Sequence, residues 1–193
     1  MLQHRNYRLL LCALVLAAVS AAAPAAHAQS GYPFVDSEFD VPPQLETDEF
    51  RLRTLTVNDV VKDFEAVMSS AEQLRSIWPG SEWPDGLTLE QNLIDLGWHQ
   101  KDFQLRRSFT YTVVTLDETR VIGCVYIYPT RKRGYDAEVY LWARESELGS
   151  PPDELLYETV SQWLETEWPF ENAAFPGRSI DWDSWDDIED EKR

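Results

Sequence analysis

The hydrophobic positions change period several times along the chain, and each change predicts an element. The run Phe50-Arg51-Leu52-Arg53, closed by Leu55, alternates as a strand with one buried face does. From about Asn58 to Met68, Val60, Val61, Phe64, Val67 and Met68 fall at helical intervals, which predicts an apolar helix face packed on a sheet. Ser69 to Trp78 suits a second short helix, interrupted by Pro79-Gly80 and again by Pro84-Asp85-Gly86. Thr88 followed by Gln91 has the spacing of a capping box, and the helix it starts runs to about Leu105. Leu89, Leu93, Leu96 and Phe103 are expected on its buried side, with Trp98 as a further candidate.

Three strands are expected in close succession. Phe109, Tyr111 and Val113 alternate with Thr110 and Thr112, Asp117-Glu118-Thr119 turns the chain into Arg120 to Tyr128, and Pro129 to Gly134 turns it into Tyr135 to Ala143. This is the pattern of an antiparallel meander, and the apolar runs Val121-Ile122 and Val125-Tyr126-Ile127 suit a central strand covered on both faces. From Asp153 to Trp168 the period is helical again, with Leu156, Val160, Trp163 and Leu164 in one stripe and Pro151 and Pro152 tolerated at the start. Pro169 stops that helix, and a short strand near Asn172 to Phe175 precedes the Pro176-Gly177 turn. Strand, helices, three antiparallel strands, helix and short strand make an α+β domain over residues 50–180.

The flanking segments read differently. Residues 1–28 have the parts of a secretion signal: Arg5 and Arg8, an apolar run from Leu9 to Val19, and Ala26-His27-Ala28 before a cut ahead of Gln29. That run is too short to cross a bilayer, so no stable membrane anchor is expected. Residues 29–49, with Pro33, Pro42 and Pro43 among acids, read as an extended acidic linker, and residues 181–193 as an acidic C-terminal tail. The expected location is secreted or periplasmic, or cytoplasmic if translation starts further along the chain.

Charge and composition narrow the chemistry. Loss of Arg5 and Arg8 would take the formal charge from -17 to -19, which disfavours attraction to nucleic acid or an anionic membrane. His4, His27 and Cys12 would leave too, so Cys124 and His99 would be the only cysteine and histidine of the remaining chain. No intramolecular disulfide could then form, a zinc site of histidines and cysteines is excluded, and no metal is predicted. Cys124 lies in an apolar run and reads as a buried small hydrophobe rather than a nucleophile. Trp78 and Trp83 flank loop punctuation, where they either fasten the loop or stack on carbohydrate; Arg131-Lys132-Arg133 is either solvated or meets phosphates.

With this order of elements, and with Val121-Ile122-Gly123-Cys124-Val125-Tyr126 and Glu138-Val139-Tyr140-Leu141-Trp142 in consecutive strands, the sequence from about Phe50 to Trp185 resembles the GNAT acyltransferase family. The resemblance implies a mixed, mostly antiparallel sheet that splays near its middle, with helices on both faces, and acetyl-CoA or another acyl-CoA as cosubstrate beside the strand Tyr135 to Ala143. It implies that backbone groups of Leu141, Trp142 and Ala143 hold the pantetheine chain, and that Arg144, Gly149 and Ser150 toward the next helix start hold pyrophosphate. It further implies a carboxylate or an ordered water that accepts the proton of a small amine; Glu138 is the carboxylate on the matching strand, and Tyr140 shares its side. The family's pyrophosphate motif opens with Arg or Gln and has Gly at its fourth and Gly or Ala at its sixth position. From Arg144 this chain has Glu147 and then Gly149, and Pro151 and Pro152 remove amide donors where donors are wanted. The implied function is acyl-CoA-dependent N-acyl transfer to an amine. Because acyl-CoA is a cytosolic substrate and the leader directs delivery outside, the alternative is an exported GNAT-like binding or structural domain without chemistry.

Overall fold

The computed structural model describes residues 33–144 and 152–191, apart from the side chains of Ser76 and Pro152. The expected leader, Glu147, Gly149 and Ser150 lie outside the described residues. Six strands form one sheet in chain order: β1 Gln44–Glu46, β2 Arg51–Thr54, β3 Phe109–Val114, β4 Val121–Pro129, β5 Ala137–Ala143 and β6 Ala173–Ala174. Neighbours pair antiparallel except β5 and β6, which are parallel. Helices α1 Val60–Ser69, α2 Ala71–Ile77 and α3 Leu89–Gln104 cover one face, α4 Pro152–Glu167 covers the other, and α5 Trp182–Asp187 closes the described chain. The fold is α+β, a mixed and mostly antiparallel sheet with helices on both faces.

The α4 face holds the larger core. Leu156, Val160, Trp163 and Leu164, the stripe read from the sequence, pack with Val125, Ile127, Val139 and Leu141. Trp163 meets Tyr111 edge-on at 5.2 Å and Trp168 meets Phe109 at 5.1 Å, an arrangement that suits the opposed charges of ring face and ring edge. The opposite face is smaller and includes Leu55, Val67, Leu74, Leu96, Cys124 and Trp142. Cys124 is buried there, and burial pushes its thiol well up.

Two helices bury only part of the apolar face that spacing predicts, and bury polar residues beside it. Val61 is 66% exposed, while Asp59 and Asp63 are buried beside Ala66 and Val67. On α3, Leu96 is buried and Phe103 packs on the main core as expected, whereas Leu89, Leu93 and Trp98 are exposed and Asn92 faces inward. The cause is polar pairing: Asn92 Nδ2 donates to Asp63 Oδ2 at 2.8 Å, and Arg53 donates to both Asp59 oxygens at 2.8 and 3.0 Å. A buried polar group is costly only while it lacks such a partner. The capping box at Thr88 and Gln91 forms as expected.

Both flanking segments contribute to the body within the described residues. The stretch expected as a linker buries Val35, packs Phe34 and Phe39 on the main core, and supplies β1; Tyr111 Oη donates to the Pro42 carbonyl at 2.7 Å. Pro42 and Pro43 lie just outside this edge strand, where no ladder donor is lost. The expected tail forms α5, buries Trp185 against Tyr135, and bridges Asp190 to Lys132.

The central strands approach closely at Gly123. A β-bulge shifts the register of β3 against β4 there, and a Cβ on Gly123 would lie 2.2 Å from the Trp142 carbonyl oxygen. Gly123→Ala must part β4 from β5 and is expected to destabilise by about 1–3 kcal/mol. Urea unfolding should show a lower midpoint at unchanged slope; an unchanged midpoint would contradict the close approach. Burial pushes the Asp63 carboxyl up to about 6, against the lowering bond from Asn92 and with a further rise from Asp59. The folded chain therefore holds this proton at pH values where the unfolded chain has lost it. The resulting stabilisation is complete below about pH 4 and lost as pH rises through about 6. Measured against Asp63→Asn, wild-type stability should fall by roughly 2–3 kcal/mol between about pH 4 and 7; parallel pH profiles of the two proteins would refute it.

Candidate functional site

The site begins where two parallel strands part. β5 and β6 pair only through Ala137 with Ala173 and Glu138 with Ala174, after which β5 continues to Ala143 with β4 as its sole strand neighbour among the described residues. Glu138 stands at this fork. Cross-strand pairing sets it opposite Tyr128, and Tyr140 opposite Tyr126, on the sheet face that carries α1 to α3. Glu138 is half-buried, and desolvation raises its carboxyl despite the opposing effects of Thr130, Lys132 and Tyr140. Tyr140 lies parallel to Trp182 of α5, with centroids 6.1 Å apart, so the C-terminal helix roofs this part of the sheet.

On the parted edge, a side-chain bridge takes up the β5 backbone. The Ala143 amide donates to Asp153 Oδ1 at 3.0 Å, Arg178 Nη2 donates to Asp153 Oδ2 at 2.6 Å, and the same nitrogen reaches the Leu141 carbonyl at 3.2 Å. Asp153 lies in the first turn of α4 with Glu154 beside it. An acid there satisfies the positive helix end, and it repels a phosphate from the same place.

The other residues singled out from the sequence are distributed around this edge. Leu141 and Ala143 point their side chains into the α4-side core, and Trp142 is fully buried on the opposite face. Arg144 is also buried. Its guanidinium pairs with Glu65 of α1 and its amide donates to the Ile122 carbonyl, so the side chain lies on the α1 side of the sheet. The basic run is engaged by the C-terminal segment: Lys132 Nζ donates to the Asp186 and Ile188 carbonyls, and Arg133 pairs with Glu189. Sequence reading missed Asp153 and Arg178. Asp153 follows two prolines as a helix-start acid and Arg178 closes a Pro-Gly turn, yet nothing local shows that residues 25 apart meet.

A cavity of about 440 Å³ opens on the α1–α3 face, lined in part by Asp63, Trp78, Trp83, Asn92, His99 and Tyr126. Trp78 joins it to the fork, since its ring lies 6.4 Å from Tyr126 and 6.2 Å from Tyr140. Among the described residues no group of three or more His, Cys, Asp or Glu side chains could hold a metal ion, and no helix is long and apolar enough to cross a membrane.

No protein-family model matches the sequence, and no curated protein matches it. Solved structures do. The ribosomal-protein-S5-alanine acetyltransferase from Vibrio fischeri superposes with a TM-score of 0.51 at 16% identity, over 63% of this chain and 66% of that one. A structure described as a probable acetyltransferase gives 0.54 at 12% identity, over 68% and 72%. The microcin C7 self immunity acetyltransferase MccE, solved with acetyl-CoA and AMP, gives 0.48 at 10% identity, over 62% and 65%. The chain thus spans just under two thirds of the first and third of these proteins. At such identities the likeness speaks for architecture alone, and the architecture it shows is a GNAT-like fold, a mixed and mostly antiparallel sheet flanked by helices.

Proposed function

We propose that the protein transfers an acyl group from acyl-CoA to a small amine, with Glu138 as the group that takes the amine proton. One observation carries this: a half-buried carboxyl with a raised pKa stands where two parallel strands part in a GNAT-like fold. A raised carboxyl is a stronger base once ionised, which suits proton abstraction near neutral pH. The amine nitrogen bonds to the thioester carbonyl carbon, the carbon–sulfur bond breaks, the amine proton passes to Glu138, and the CoA thiolate leaves. Leu141 and Ala143 carry the backbone groups beside which pantetheine would lie, and Arg178, which already donates to the Leu141 carbonyl, is a cation on that edge that can meet a phosphate.

For the donor to bind, the Ala143 amide must exchange Asp153 for a ligand carbonyl. The same bridge favours a second reading, in which the wedge stays closed and the domain binds without chemistry, outside the cytoplasm where the leader would send it. Titration calorimetry with acetyl-CoA separates the two. Acyl transfer predicts saturable binding, tightened at least about threefold by Asp153→Ala, which removes the competing carboxylate. Glu138→Gln should keep that binding and lose about 10²-fold or more of transfer to an amine panel. Absence of binding to both well-folded proteins would overturn acyl transfer.

A further inference from the structure

We propose that the cavity between α1, α3 and β4 is a binding site for a small organic cation, an ammonium or quaternary ammonium group on an apolar body. The walls are aromatic. Trp78 meets Trp83 at 5.4 Å and 80°, and meets Tyr126 at 6.4 Å and 70°, so near-perpendicular rings form adjoining sides; His99 adds a third wall, 5.4 Å from Tyr126. Ring faces attract cations, most strongly where water is excluded. A volume of about 440 Å³ is that of a small-molecule site.

The charge in the cavity has one sign. Asp63 is 3% exposed and lines the space, held by Asn92, which is itself buried; Asp95 lies at the more exposed rim, and among the described residues neither lysine nor arginine lines the cavity. Burial lowers the His99 pKa, so its ring is neutral at neutral pH and does not compensate the acid. The other acid close to Asp63 is Asp59, which Arg53 already neutralises. An aromatic box with an uncompensated carboxyl on its wall has little use for an anion or a neutral apolar ligand, and a cation completes it. This site needs no acyl donor, so it stands apart from the acyl-transfer proposal.

Affinity should rise with pH as Asp63 ionises. The titratable groups facing it are Asp59 before α1, Asp95 and His99 on α3, and Cys124 and Tyr126 on β4. Asp63 and His99 have the means to change charge between about pH 5 and 7.5, whereas Asp59 is held ionised by Arg53 and burial pushes the thiol and phenol up. The test is calorimetric titration of the full chain with choline and with the uncharged alcohol in which carbon replaces its quaternary nitrogen, without any CoA compound. Choline is expected to saturate one site near pH 7.5, bind at least about tenfold more tightly than the neutral isostere, and weaken near pH 5. Asp63→Asn should lose about tenfold in affinity near pH 7.5 and flatten the pH response; Trp83→Ala, at a half-buried loop position, should weaken choline comparably. Equal affinity for choline and the isostere, unchanged binding in Asp63→Asn, or no saturable binding of choline would each overturn the proposal, and none of these results bears on acetyl-CoA binding.

Discussion

The parallel pairing of β5 with β6 stops after Glu138, and the rest of the site follows from the backbone groups left beyond that point. A strand amide or carbonyl buried without a partner costs on the order of a hydrogen bond, so each needs a replacement. In this chain Asp153 and Arg178 supply two of them, with a carboxylate that takes the Ala143 amide and a guanidinium that takes the Leu141 carbonyl. The pair also ties α4 to the turn after β6, which fixes how the two halves of the fork sit around Glu138. A ligand that enters the wedge has to replace this bridge bond for bond.

The two faces of the sheet do different work. The α4 face is closed by aliphatic and aromatic side chains at the density of a core. The α1–α3 face is thinner and admits buried carboxylates, each held by a partner from another element, and it leaves the cavity beneath Trp78 and Trp83. Its far end is roofed by α5, whose Trp182 lies over Tyr140, while Lys132 and Arg133 are spent on the acidic C-terminal segment. These cations thus hold residues 186–189 against the β4–β5 turn instead of standing free for a phosphate.

The meander and α4 were legible in the sequence because their hydrophobic period is the whole cause of their placement. Tyr111, Val125 and Leu156 are buried where alternation or helical spacing puts them. α1 and α3 were read in part: Val67 and Leu96 are buried as their spacing predicts, while Asp63 and Asn92 count as polar in any local pattern and become inward-facing only by finding each other 29 residues apart. In the proline-rich lead-in Tyr111 takes the Pro42 carbonyl, and at the acidic end Lys132 takes the Asp186 and Ile188 carbonyls, partners far along the chain that no local pattern shows. Of the candidate site, Glu138 came from likeness to a known strand, whereas Asp153, Arg178 and the aromatic cavity depend on tertiary contacts that no spacing encodes.

The fork turns on what the Ala143 amide is bonded to. Residue-resolved hydrogen exchange at that amide, in the wild type and in Asp153→Ala, with and without acetyl-CoA, measures this directly. The account predicts a protected amide in the free wild type, lost protection in Asp153→Ala, and protection restored to the variant by acetyl-CoA. Rapid exchange in the free wild type, or protection indifferent to Asp153 and to acetyl-CoA, would contradict it.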